Sequence, residues 1–255
     1  MPFLKVTPEK LSQSVVRQIE QLILRGILRP GERLPSERDM AEKLGVSRPS
    51  LRDAIGDLGE RGLLVSRAGS GIFVADVLGS AFSPALTQLF ASHDEAVVDY
   101  LAFRRDLEGM AAERAARLGS ETDLRVIDTI FRKMEAAHLK RDPSDEAQLD
   151  AEFHMAIIEA SHNVIMLHML RSMFDLLRQG VFYNRQVMFR NRVTRDQLLD
   201  QHRMINAAIQ NRDPDGAKAA VARHMDYVEQ AFQDQMKAEK HEAIARQRLE
   251  HEASR

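Results

Sequence analysis

The stretch from Leu34 to Ile55 leaves the chain little choice of local structure. Ser36 stands just ahead of an apolar-periodic run, with Asp39 three positions on, which approximates a capping box. Met40, Ala41 and Leu44 then share one helical face. Gly45 can take the left-handed conformation that ends a helix sharply. Ser47 follows as a second N-cap, and Pro49 falls in the first turn, where a missing N–H costs nothing. Leu51, Ala54, Ile55 and Leu58 give the second segment its apolar stripe. Two short helices on a tight glycine turn make a helix-turn-helix.

The flanks extend this motif. Leu63–Arg67 and Ile72–Val74 are β-prone runs around the turn Ala68-Gly69-Ser70-Gly71, so a hairpin follows directly. A hairpin in that place is a wing. Leu11 to Ile27 supplies an earlier amphipathic helix through Val15, Val16, Ile19, Leu22 and Ile23. Residues 8–75 therefore read as a winged helix. Ser47, Arg48, Ser50 and Arg52 cluster at the start of its second motif helix, a set suited to phosphates and guanine edges. Arg38 and the wing around Gly69 are expected to hold phosphates.

The net charge of -2 over 255 residues would not by itself suggest a nucleic-acid partner. The average hides an asymmetry: residues 1–75 hold 12 Lys and Arg against 9 Asp and Glu, and the remainder 24 against 29. Cysteine is absent, which excludes a disulfide framework and fits a reducing compartment. The start Met1-Pro2-Phe3-Leu4-Lys5 lacks the apolar region of a signal peptide. No apolar run approaches a membrane span. The expectation is a cytoplasmic protein with no membrane partner.

Beyond the wing the pattern changes. Residues 77–95 read as a linker with a short helix over Ala85–Phe90. Strand signals then stop, and 3.6-period segments follow at 94–118, 121–140, 144–160, 163–189, 195–211 and 214–240. Turn and capping residues such as Gly119-Ser120, Ser161-His162-Asn163 and Asn211-Arg212-Asp213-Pro214 separate them. The expected class is mainly α: a winged helix-turn-helix over 1–76, then an antiparallel helical bundle over 96–236. Stripes such as Ile127, Ile130, Phe131, Met134 and Met166, Leu167, Leu170, Met173, Leu177 are assigned to its core. Residues 237–255 are charged on nearly every face and read as a frayed helical or disordered tail.

A polar set stands out in the bundle. Asp150 and His154 are one helical turn apart on one face. His202 and His224 lie about equally far from the turn near Asp213, so an antiparallel pairing of the last two helices brings them level. Three imidazoles and a carboxylate suit a borderline divalent cation such as Zn²⁺. The competing reading is a polar core with no ion.

Here the sequence also resembles a known family. The runs Leu28–Arg38 and Val46–Arg52, with Gly69–Val74, are similar to the DNA-binding domain of the GntR family of bacterial regulators. Asp150–His154, Glu159–Asn163, Gln201-His202-Arg203 and Ala222–Met225 are similar to the FCD ligand domain of its FadR-like branch. The resemblance implies one divalent ion per chain on Asp150, His154, His202 and His224, with Zn²⁺ foremost and Ni²⁺ or Mn²⁺ as alternatives. It implies that Arg104, on the first bundle helix, meets an effector carboxylate, with Arg105 as the neighbouring candidate. One winged helix reads only a short half-site, so a homodimer on a near-palindromic DNA operator is expected, and no enzymatic activity. Repression controlled by a small carboxylate such as lactate, pyruvate or glycolate is the expectation. The alternative is a metal-dependent hydrolase with an accessory DNA-binding domain, for which Glu152 and Glu159 are poorly placed as a general base.

Overall fold

A computed structural model describes residues 10–76, 84–140, 144–178 and 192–253. The chain forms two compact units, divided between residues 81 and 82.

In the first unit α1 (Leu11–Leu24) is followed by α2 (Glu37–Leu44) and α3 (Arg48–Glu60), then by the antiparallel strands β1 (Leu64–Arg67) and β2 (Gly71–Val74). Ser36 and Ser47 cap α2 and α3 by accepting from the amides of Asp39 and Ser50. Gly45 ends α2 at φ 65°, a conformation that an L side chain adopts only under strain. Val15, Val16, Ile19 and Ile23 of α1 pack with Leu51, Ala54, Ile55 and Leu58 of α3 in one small core. Leu64 pairs with Val74, and both are buried beneath the wing. Arg33 bridges to Phe73, adding a third short segment at the wing base.

The second unit begins with a short helix, α4 (Pro84–Ala91). The bundle follows: α5 (Asp94–Leu118), α6 (Glu121–His138), α7 (Ser144–Ala160), α8 (Val164–Arg178), α9 (Arg192–Gln210) and α10 (Pro214–Ala253). α5 packs chiefly on α10 and α7, α6 on α7 and α9, and α9 on α10. Ala111, Ala112, Ala115 and Ala116 of α5 are wholly buried, so backbones approach closely along this helix. Ser120 and Asp123 form a reciprocal capping box at the start of α6. Arg212, in the α9–α10 turn at φ 52°, donates to the Gly119 carbonyl at 2.8 Å and pairs with Glu121, satisfying the end of α5. Asp213 then caps α10 by accepting from the Gly216 amide at 2.9 Å.

Several expectations are refined. The stripe residues Ile127, Phe131, Met134, Met166, Leu167, Leu170 and Met173 are buried, and Ile130 packs against that core. The Leu177 side chain, the 77–83 part of the linker and the 179–189 end of the fourth bundle segment lie outside the described residues. The fifth segment, expected over 195–211, runs from Arg192 to Gln210. The charged tail is helical: α10 runs unbroken to Ala253, exposed on every face from Lys237 onward. Alternating charges at helical spacing, such as the Arg246–Glu242 pair at 2.9 Å, support it there.

Candidate functional site

The site is assembled from three bundle helices. Asp150 and His154 come from the buried face of α7, His202 from α9 and His224 from α10. All four are buried, and one ligand atom from each lies within 4.8 Å of all the others. His202 Nε2 stands 3.0 Å from Asp150 Oδ1 and 3.3 Å from His154 Nε2. The His202 and His224 rings approach to 4.5 Å between centroids, and His154 stacks near His224 at 5.2 Å. Phe153, fully buried, presents its ring edge-on to His202 at 5.4 Å and limits how that imidazole can turn.

Three imidazoles this close cannot all be charged. Burial holds the His224 pKa well below its ordinary value, and repulsion from His202 and His154 adds to the effect. A neutral imidazole offers a lone pair, the state a metal requires. Donors around one ion at about 2.0–2.2 Å lie at most about 4 Å apart, so the cluster needs only a slight contraction to close on one. The residues therefore fit a divalent cation.

Arg104 reaches this region by way of Glu108. Both are buried, and Arg104 Nε donates to Glu108 Oε1 at 2.6 Å. Glu108 Oε2 lies 2.6 Å from His154 Nδ1. Burial alone would raise the Glu108 pKa, but the charges and hydrogen bonds of Arg104 and His154 outweigh it and hold it down at about 2. The guanidinium also sits over the Phe174 ring at 4.7 Å. The neighbouring candidate, Arg105, faces outward and pairs with Asp226 at 3.1 Å. Behind His224, Gln201 Oε1 stands 3.0 Å from Nδ1.

Glu108 and Gln201 are the residues that sequence reasoning missed as participants. An Arg and a Glu four apart on one helix was a visible signal for Glu108. Gln201 stood in the family-like run Gln201-His202-Arg203 but was given no role of its own. Glu152 is bonded to Gln148 and Glu159 to Arg171, at 2.8 and 3.1 Å.

On the first unit, Arg48, Arg52 and Arg38 are exposed. Arg52 Nε donates to Glu37 Oε2 at 2.8 Å, tying α3 to α2. Arg38 lies 3.6 Å from Asp39 with most of its side chain in solvent. The hydroxyls of Ser47 and Ser50 bond each other at 2.9 Å. Gly69 turns the wing at φ 72°, and Arg67 covers Phe73 at 4.5 Å on the outer face of the hairpin.

A winged helix with arginines along an exposed helix start, joined in one chain to an all-helical domain, defines a DNA-binding transcriptional regulator. Comparison with known proteins makes this specific. Residues 11–74 match the bacterial regulatory proteins of the gntR family, and residues 99–227 match the FCD domain. The chain belongs to the gntR family and carries an FCD domain. A protein of Escherichia coli K12 provisionally described as an L-lactate dehydrogenase operon regulatory protein is 36% identical over 227 residues, covering 88% of this chain and 86% of that protein. The Glc operon transcriptional activator of the same strain is 34% identical over 227 residues, covering 88% and 89%. Among solved structures, a GntR protein of Streptococcus agalactiae superposes with a TM-score of 0.53 at 25% identity, covering 86% of this chain and 99% of that one. The family is one of regulators, which sets aside the hydrolase alternative. No helix among the described residues is long and apolar enough to cross a membrane.

Proposed function

We propose that this regulator senses a small carboxylate at a divalent ion held by Asp150, His154, His202 and His224, and that the sensing controls its grip on an operator. The observation that carries this reading is the convergence of the four buried side chains. Each of the four offers one ligand atom to a common point, and a single divalent ion would draw on all of them together. Zn²⁺ suits three imidazoles and a carboxylate best, with Ni²⁺ and Mn²⁺ as alternatives. When bound, the ion would supply a Lewis-acidic anchor for one carboxylate oxygen. Arg104 would neutralise the rest of the effector charge from the α5 side while remaining paired to Glu108. The relative described as a lactate-operon regulator favours lactate or a near analogue such as pyruvate or glycolate.

On the DNA side, Arg48 and Arg52 would read base edges, while Arg38, Ser47, Ser50 and the wing at Gly69 hold the backbone. One winged helix covers a short half-site, so specificity calls for a homodimer on a near-palindromic operator. We assign repression as the unliganded action.

Thermal-shift titration of the full chain tests this reading. Lactate, pyruvate and glycolate are added to Zn²⁺-loaded and chelator-treated protein, with operator binding read in parallel. Stabilisation by one carboxylate only in the loaded protein, with weakened operator binding, is expected. Equal shifts with and without chelator would overturn the role of the ion.

A further inference from the structure

We propose that Glu108 is a positioning residue of the metal site: it fixes His154 as the Nδ1-protonated tautomer with Nε2 turned toward the ion, and Arg104 pins Glu108 in place for that task. This rests on the reading that the four side chains hold a divalent cation.

Glu108 uses both carboxylate oxygens. Oε1 accepts from Arg104 Nε at 2.6 Å, and Oε2 stands 2.6 Å from His154 Nδ1. The second contact is at ion-pair distance but short of a formed hydrogen bond, and because a carboxylate only accepts, the hydrogen that closes it belongs to His154 Nδ1. The lone pair is then on Nε2, which is the nitrogen that faces the cluster: 3.3 Å from His202 Nε2 and 3.8 Å from Asp150 Oδ1. A carboxylate behind an imidazole both orients the ring and makes it a stronger donor.

The three residues are built as a unit inside the bundle. Arg104, Glu108 and His154 are each 2% exposed. A carboxylate buried this deeply needs a counter-charge, and Arg104 supplies it from one turn earlier on α5. Phe174 packs on both ends of the chain of contacts, lying 4.7 Å from the guanidinium and 6.3 Å from the His154 ring. The other supported histidine differs: His224 Nδ1 meets the neutral amide of Gln201 at 3.0 Å. Thus α5 contributes none of the four candidate ligands yet sets the tautomer and aim of one of them. It also gives Arg104 a duty besides any effector, so that a carboxylate arriving at Arg104 is felt at His154 through one intervening side chain.

The test uses full-length protein. Zn²⁺ affinity is measured by competition with a chromophoric chelator for wild type and Glu108→Gln, and the visible spectrum is recorded with Co²⁺ in the site. Glu108→Gln keeps the shape and loses the charge. It should weaken Zn²⁺ about ten- to hundred-fold and shift the Co²⁺ bands, while the far-ultraviolet circular dichroism stays that of wild type. Wild-type affinity and an unchanged Co²⁺ spectrum in Glu108→Gln would overturn the role of Glu108. A wild-type protein that takes up neither ion would instead overturn the metal reading beneath it. Nitrogen-15 imidazole spectra of metal-free wild type need no variant: the Nδ1–H tautomer at His154 supports the proposal, and the Nε2–H tautomer refutes it.

Discussion

His202 and His224 meet across the α9–α10 hairpin with their ring centroids 4.5 Å apart. Asp213 and Arg212 fix the turn between them, Asp213 by capping α10 and Arg212 by strapping the turn to the end of α5. The hairpin therefore holds two imidazoles level with Asp150 and His154 before any ion arrives. An ion that binds only this folded arrangement stabilises it by mass action, by about 2.7 kcal/mol at a hundredfold excess over its dissociation constant. We expect purified protein to carry one divalent ion per chain and to melt at a lower temperature after chelation. His154→Ala and His224→Ala should abolish both the ion and the chelator effect. Elemental analysis of the three proteins decides this; equal metal content in all of them would show the cluster to be a polar core.

Arg48 stands exposed at the start of α3, whereas Arg52 is held by Glu37. Replacing Arg48 by Ala should cost about 1–3 kcal/mol on the cognate operator and little on unrelated DNA. Arg38→Ala should weaken all sequences alike and flatten the salt dependence. Mobility-shift titrations at several salt concentrations separate the two patterns. Undiminished affinity in an Arg48→Ala, Arg52→Ala double variant would remove both from the interface.

Phe153 is 0% exposed and packs against both Phe131, at 6.2 Å, and the His202 ring, at 5.4 Å. Phe153→Ala should destabilise the bundle by about 3–5 kcal/mol in urea unfolding. It should also loosen His202 and so weaken Zn²⁺ uptake, whereas Leu58→Ala, in the core of the other unit, should leave Zn²⁺ uptake unchanged.

The α6 capping box gives a pH signature. Partial burial would raise the Asp123 pKa, but hydrogen bonds from the Ser120 hydroxyl and amide, with the charge of His162, pull it below the ordinary value. A carboxylate with a depressed folded pKa adds stability that is present above about 3.9, its unfolded value, and is lost as pH falls through the folded one. Asp123→Ala should therefore cost about 0.3–1 kcal/mol at neutral pH, as the loss of an acidic side chain from the first turn of a helix. The gap from wild type should shrink in acid below pH 4, as measured by urea midpoints; a gap independent of pH would assign the effect to packing alone.

A homodimer is expected in solution. Light scattering at micromolar concentration should return twice the chain mass of 28.9 kDa. A monomer with full operator affinity would count against the paired half-site reading.

Much of this was written locally in the chain. Ser36, Gly45, Ser47 and Pro49 specify where two helices start and stop, because caps and left-handed turns depend on a few adjacent residues. Asp150 and His154 had to share a face once α7 formed, and the equal arms about Asp213 aligned His202 with His224 as soon as α9 and α10 paired. Tertiary structure alone decided what stands behind those ligands. Whether Arg104 or Arg105 turns inward depends on the rotation of α5 about its own axis, which is set by how its alanines pack on α10 and α7. That rotation places Glu108 against His154, a residue 46 positions away. Periodicity relates neighbours within a helix, but contacts between helices follow from how whole surfaces interdigitate, and no short stretch of sequence contains that information.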